Sequence, residues 1–258
     1  MVLALGLGTT LADTVYLADM TWPEVRDKLR QGTRTVIVPT GGIEQGGPHL
    51  VLGKHNYIVR RTAAAMARAL GDALMAPVVT YVPQGSIAPP QGHMRYPGTV
   101  SMPESVFQAV LENIARSFKA HGFRQILFLG DSGGNQHGQR AVANQLNKEW
   151  AGTGTRVLHV SDYYDPEANG QFAWMRAQGK ATAAKSGHGD WRDTSELWAA
   201  HARGVRADKI GAANLAGVSG DSNGSSAALG EKMLALKIAA ALRQIRHWRA
   251  QLANRLDK

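Results

Sequence analysis

The sequence predicts one α/β domain, an α/β/α sandwich on a mostly parallel central sheet. Three observations predict it. Short apolar, often β-branched runs alternate with amphipathic helical stretches at intervals of roughly 30–40 residues, the rhythm of strand–helix–strand units. Several apolar runs break into Gly-rich polar loops, as parallel strands do at their carboxyl ends. No linker or internal repeat divides the 258 residues, a length that a single core can organise.

The elements follow in order. Residues 1–12 (MVLALGLGTTLA) resemble the apolar core of a secretory signal, with small residues around Leu11–Asp13 as a cleavage point, although the first basic residue is Arg26. The domain is therefore expected over 13–258. A periplasmic or secreted location follows if the signal acts, a cytoplasmic one otherwise. Met20–Gln31 reads as a helix with Thr21 as N-cap and Glu24 at the capping-box position. Thr33–Pro39, with Val36, Ile37 and Val38, is the first buried strand. Asn56–Leu70 is a helix capped by Asn56 and stopped near Gly71. Met75–Val82 is a second strand, followed by a Gly- and Pro-rich loop to Thr99. Pro103–His121 is a helix whose Val106, Val110, Ile114 and Phe118 share one face. Gln125–Leu129 and Arg156–Ser161 are further strands around a Gln136–Trp150 helix. Asp162–Lys185 is irregular, and Ser186–Glu196 is a polar loop entering a helix near Asp193 or Thr194. Leu234, Ile238, Leu242, Ile245, Leu252 and Leu256 mark a closing helix from Ala228.

Composition narrows the function. No run reaches the roughly 20 uninterrupted apolar residues of a membrane helix. The chain has no cysteine, which excludes thiol chemistry and disulfides. The net charge of +9 is spread along helical patterns without a dense Lys/Arg block, the mark of a solvated basic surface rather than a nucleic-acid site. A small-molecule substrate is the expected partner, with neither nucleic acid nor membrane.

Four polar loops carry the chemistry: Glu44–His55, His93–Thr99, Gly130–Asn135 and His188–Ser195. Parallel strands bring such loops to one edge of the sheet. The string Gly130-Asp131-Ser132-Gly133-Gly134 matches the nucleophile region of chymotrypsin-like proteases, but those are all-β and this string lies between a strand and a helix. A hydrolase built on Ser132 is the weakest reading, because the G-x-S-x-G elbow is absent.

Taken together, the loops resemble the creatininase (creatinine amidohydrolase) family. Its G-S-x-E-Q-H-G-P-H-L-P-L-G-T-D signature corresponds to Gly41–His55 (GGIEQGGPHLVLGKH), and H-x-x-F-P-G-T to His93–Thr99. N-G-H-G-G-N corresponds to Gly130–Asn135, and H-G-G-x-x-E-T-S to His188–Ser195. A Gly/Asp-rich turn before the last helix corresponds to Gly217–Gly230. The ordered matches run from Val36 to Leu242.

The resemblance implies a hydrolase opening an amide C–N bond with metal-activated water, and a homo-oligomer, hexameric by analogy. It also implies a two-metal centre of zinc or manganese. Here, however, Gly46 and Ser132 replace two histidine ligands, His55 replaces a bridging aspartate, and Gly134 and Trp191 stand at the two places usual for a glutamate. A carboxylate can bridge two ions, whereas a neutral imidazole offers one lone pair. One divalent ion rather than two, or none, is therefore expected, on Glu44, His55 and either Asp131 or Asp193. His188 aligns with a proton shuttle, so His188 and Glu44 are the expected catalytic residues. Ser132, Gly133, Gly134, Asn135, Trp191 and His93 are the expected substrate-binding ones. The alternative is a member that kept the pocket as a small-molecule binding or structural protein.

Overall fold

The computed structural model describes residues 14–179, 187–211 and 216–256. The apolar opening stretch, and the end of the irregular segment before His188, lie outside them.

Four parallel strands form the central sheet in the order β2-β1-β3-β4. They are β1 (Thr35–Thr40), β2 (Ala73–Met75), β3 (Gln125–Gly130) and β4 (Arg156–His159). In β1 and β3 every second side chain turns to the same face. Val36, Val38, Ile126 and Phe128 meet α3 (Glu104–Ala120) and α4 (Gln136–Glu149) on one side. Ile37, Leu127 and Leu129 meet α2 (Lys54–Leu70) and α7 (Ala227–Leu256) on the other. β1 and β3 are thus buried on both faces, which is why they read as continuous apolar runs. The three-layer α/β architecture is the one expected.

Boundaries and faces differ in instructive ways. The second strand is only Ala73–Met75, and Val79 touches the sheet through a single bridge to Thr40. Pro77 interrupts the run, and proline has no N–H to give a ladder. α2 begins at Lys54, and Asn56 lies inside it, where its Oδ1 accepts from Gly42 N–H at 3.0 Å. α3 buries Phe107, Leu111 and Ala115, while Val106 is exposed. The expected stripe borders the buried one, and its Ile114 and Phe118 pack half-buried against the same core. α1 (Trp22–Arg30) starts as expected, with the Glu24 carboxylate accepting the Thr21 N–H at 2.6 Å. A short helix, α5 (Gln171–Ala177), occupies part of the segment expected to be irregular. α6 (Trp191–Ala200) starts three or four residues earlier than the expected caps: Asp190 is the cap, accepting from Arg192 N–H and Asp193 N–H at 3.0 Å each. Among the described residues no helix is long and apolar enough to cross a membrane.

Candidate functional site

The carboxyl ends of β1 and β3 deliver the first and third loops side by side, with Thr40 in register with Gly130. Asp131 follows directly on β3, and His55 sits in the first turn of α2. Above them the second and fourth loops close a cleft of about 710 Å³. Its walls include Glu44, His93, Asp131, Ser132, His188 and Lys237.

Its floor is a chain of ion pairs. The His55 ring lies between two carboxylates, with Nε2 2.7 Å from Glu44 Oε1 and Nδ1 2.9 Å from Asp131 Oδ2. The Lys54 ammonium, wholly buried, spans Glu44 Oε1 at 3.1 Å and Asp193 Oδ2 at 3.3 Å. At the other end the Lys237 ammonium spans Asp131 Oδ1 at 2.6 Å and Glu196 Oε2 at 2.9 Å. The Tyr163 hydroxyl donates to Asp131 Oδ1 at 2.8 Å, and Gln171 Nε2 donates to Glu196 Oε1 at 2.6 Å.

These neighbours decide the protonation states. Burial works against a charged His55 ring, but Glu44 and Asp131 outweigh it and raise its pKa to about 9. Burial also pushes the Glu44 and Asp193 carboxyls upward, yet Lys54 and the nearby cations hold both well below the usual carboxylate range. The Asp190 carboxyl moves the other way, up to about 6, because burial and the Asp193 charge add. His55 is therefore an imidazolium donating through both nitrogens, with no lone pair for a metal.

His93 and His188 form the roof, their rings 4.3 Å apart and tilted by 34°. Gln45 sets both. Its backbone carbonyl accepts the His188 Nε2–H at 2.7 Å, which leaves a lone pair on Nδ1, 3.8 Å from Glu44 Oε1. Its side-chain Oε1 accepts from Gly47 N–H, and its Nε2 donates both to the Gly217 carbonyl and, at 3.0 Å, to His93 Nδ1. A neutral His93 therefore carries its proton on Nε2, 3.7 Å from Glu44 Oε2. Burial lowers both pKa values, that of His188 to about 4 with help from Lys54, so both rings are neutral near pH 7.

Ligand atoms of Glu44, His93 and His188 lie within 4.8 Å of one another and form a candidate metal site among the described residues. The two-ion centre implied by the resemblance does not fit. The expected ligands Glu44, His55, Asp131 and Asp193 are spent on one another and on the lysines, and His55 has both nitrogens occupied. At the three-residue cluster Glu44 and His188 present open lone pairs, whereas Gln45 keeps a proton on the His93 nitrogen that faces Glu44.

Of the residues expected to bind substrate, His93, Ser132, Gly133 and Gly134 line the cleft. Two expectations need correction. Asn135 is buried beneath it, its Nδ2 donating to the Thr40 and Gly41 carbonyls at 3.1 and 3.0 Å, which makes it a brace for the end of β1. Trp191 is buried as the first residue of α6 and is not part of the cleft wall. Sequence reasoning passed over Lys54, Lys237, Glu196 and Gln45. Lys54 lay inside the first signature, and Lys237 falls one turn from Leu234 on the buried stripe of the closing helix.

Carboxylates and imidazoles gathered at the carboxyl edge of a parallel sheet are the layout of an open α/β enzyme. The chain belongs to the creatininase family, whose family model, described as creatinine amidohydrolase, matches residues 18–245. It is 27% identical over 218 residues to a mycofactocin precursor peptide peptidase of Mycolicibacterium smegmatis, covering 83% of this chain and 85% of that protein. To a 3-dehydro-scyllo-inosose hydrolase of Thermotoga maritima it is 30% identical over 129 residues, half of this chain but only 37% of that protein's length. The fold superposes on a creatininase mutant solved in a Zn–Zn form with a TM-score of 0.71 and 19% identity, covering 92% of this chain and 98% of the other.

Proposed function

We propose that this chain is a hydrolase that opens an amide C–N bond of a small polar substrate in the cleft beneath His93 and His188. One observation carries the reading: two neutral imidazoles, oriented by the same glutamine, face one ionised carboxylate with complementary proton positions. His188 Nδ1 and Glu44 oxygen are both acceptors, so a water between them is polarised by two bases. His188 takes the proton as that water attacks the carbonyl carbon. The His93 Nε2–H donates to the oxygen on which charge develops. Protonated His188 then returns its proton to the leaving nitrogen. The steps above use only the chain's own groups: of the three clustered residues, Glu44 and His188 could hold a zinc or manganese ion, whereas the His93 lone pair is taken by Gln45.

The test is turnover of creatinine and of short peptide amides, followed by mass spectrometry, in the parent, His188→Ala and Glu44→Gln proteins. Activity in the parent that drops by about 10²-fold or more in His188→Ala supports the reading. A parent inert on every amide, yet binding one of them, supports the binding-protein alternative, which the saturated ion pairs of the floor also favour. A homo-oligomer and export directed by residues 1–12 belong to the same proposal. Light scattering, and the location of the protein with that stretch deleted, test them.

A further inference from the structure

We propose that this chain has exchanged the paired metal ions of its family for fixed organic cations, the ammonium groups of Lys54 and Lys237 on either side of the His55 ring, so that the cleft is electrostatically complete without a divalent ion. The first support is charge. Each buried carboxylate of the floor, Glu44, Asp131, Asp193 and Glu196, already lies within 3.3 Å of a cationic nitrogen. The anionic field that draws a divalent ion into an oxygen-rich site is largely offset from inside the protein, by three cations against four carboxylates.

The second support is space, and it is independent of charge. At Gly46 an added Cβ would lie 3.1 Å from Leu50 Cβ and 3.3 Å from Lys54 Cδ. Leu50 and the stem of Lys54 therefore crowd the room that a ligand at position 46 would need. At Gly134 an added Cβ would meet the Pro83 carbonyl oxygen at 2.2 Å, a backbone atom that cannot step aside alone. The missing glutamate at 134 is thus excluded by the packing as well as absent from the sequence, and a side chain at 46 would need Leu50 and Lys54 to give way by a few tenths of an ångström. The third support is Lys54 itself: a fully buried ammonium between two carboxylates of separate loops holds the first and fourth loops together, as a bridging ion would.

The experiment is metal analysis and thermal unfolding of the full chain, parent and Lys54→Met, with zinc and with manganese. Methionine keeps the stem against Gly46 and removes the charge. The parent is expected to hold no stoichiometric ion after dialysis and to melt at the same temperature with and without either metal. Lys54→Met removes the ammonium shared by Glu44 and Asp193 and leaves Glu44 with His55 alone, so it is expected to bind zinc at least about ten-fold more tightly and to melt higher in its presence. A stoichiometric ion in the parent, or equal zinc responses in the two proteins, overturns the proposal. If Lys54→Met does not fold, zinc titration of the parent decides alone: binding overturns the proposal, and no binding supports it. Lack of hydrolysis is a separate failure, which overturns the reading in the preceding subsection and leaves this one standing.

Discussion

His55 divides the floor of the cleft into two halves that share a chemistry and differ in what covers them. On the Asp131 side the carboxylate is capped by the Lys237 ammonium and the Tyr163 hydroxyl, and Lys237 is closed off by Glu196 and in turn by Gln171. On the Glu44 side Lys54 and His55 engage Oε1, which also lies 3.8 Å from His188 Nδ1, while Oε2 faces the His93 ring. A closed half holds helices together; a half that ends in unspent lone pairs can act on something else. Stability thus falls mainly to Asp131 and Lys237, and chemistry mainly to Glu44 and its imidazoles.

The sharpest way to break that division is Lys237→Met. It takes the ammonium from Glu196 and leaves Asp131 with His55 and Tyr163, and removing one partner of such a buried pair typically costs about 3–5 kcal/mol. Urea unfolding is the measurement, and a loss below ~1 kcal/mol would show that the closed half is not structural. The next effect comes from pH. The His55 pKa is raised to about 9 from an ordinary value near 6.5, so the folded state binds its proton more tightly than the unfolded state does. That contribution is fully present below about pH 6.5 and is lost as pH rises through about 9, by ~3 kcal/mol at most. Urea midpoints from pH 6 to 10 should fall across this window in the parent and fall less in His55→Gln.

His188→Ala should leave the urea midpoint nearly unchanged while turnover falls about 10²-fold. In the parent, turnover should persist in acid until pH approaches about 4, where His188 takes up its proton and ceases to be a base. A pH–rate profile reads this directly. The smallest effect is expected for Ser132→Ala. Ser132 Oγ accepts from Gln84 Nε2 at 3.4 Å and has no hydrogen bond to histidine or carboxylate among those described, so turnover should be unchanged. A collapse of activity in this variant would restore the serine as nucleophile and move the chemistry out of the Glu44 half.

The sheet was legible because β1 and β3 are buried on both faces, and such strands write themselves as unbroken apolar runs. The convergence of the four loops was legible from topology alone. What could not be read was the state of the groups that converge. His55 stands at a ligand position in the sequence, yet it is an imidazolium because Asp131 lies on its far side, a contact across 76 residues. Lys237 shows the same limit. A lone lysine on a helical stripe reads as a solvated head on a buried stem, and only the tertiary placement of Asp131 and Glu196 makes it an internal counter-charge. Asn135 failed for the opposite reason. Its position in the loop suggested an outward role, whereas the carbonyls at the end of β1 claim its amide.

The close approach of Pro83 to Gly134 constrains the order in which this site could be rebuilt. Because the carbonyl of Pro83 occupies the point where a β-carbon would go, a glutamate placed at 134 would first have to displace the loop that follows residue 82. That loop is itself tied down, since the Gln84 N–H is held by Ser101 Oγ at 2.8 Å. A side chain at 46 asks for less, a shift of a few tenths of an ångström in Leu50 and the Lys54 stem. A glutamate at 134 is thus harmful alone and useful only in sequence: first the loop, then the ligand. For protein engineering this is an epistatic barrier of defined geometry. Libraries that vary 134 alone should return little but glycine, whereas libraries that also open 83–85 have a path forward.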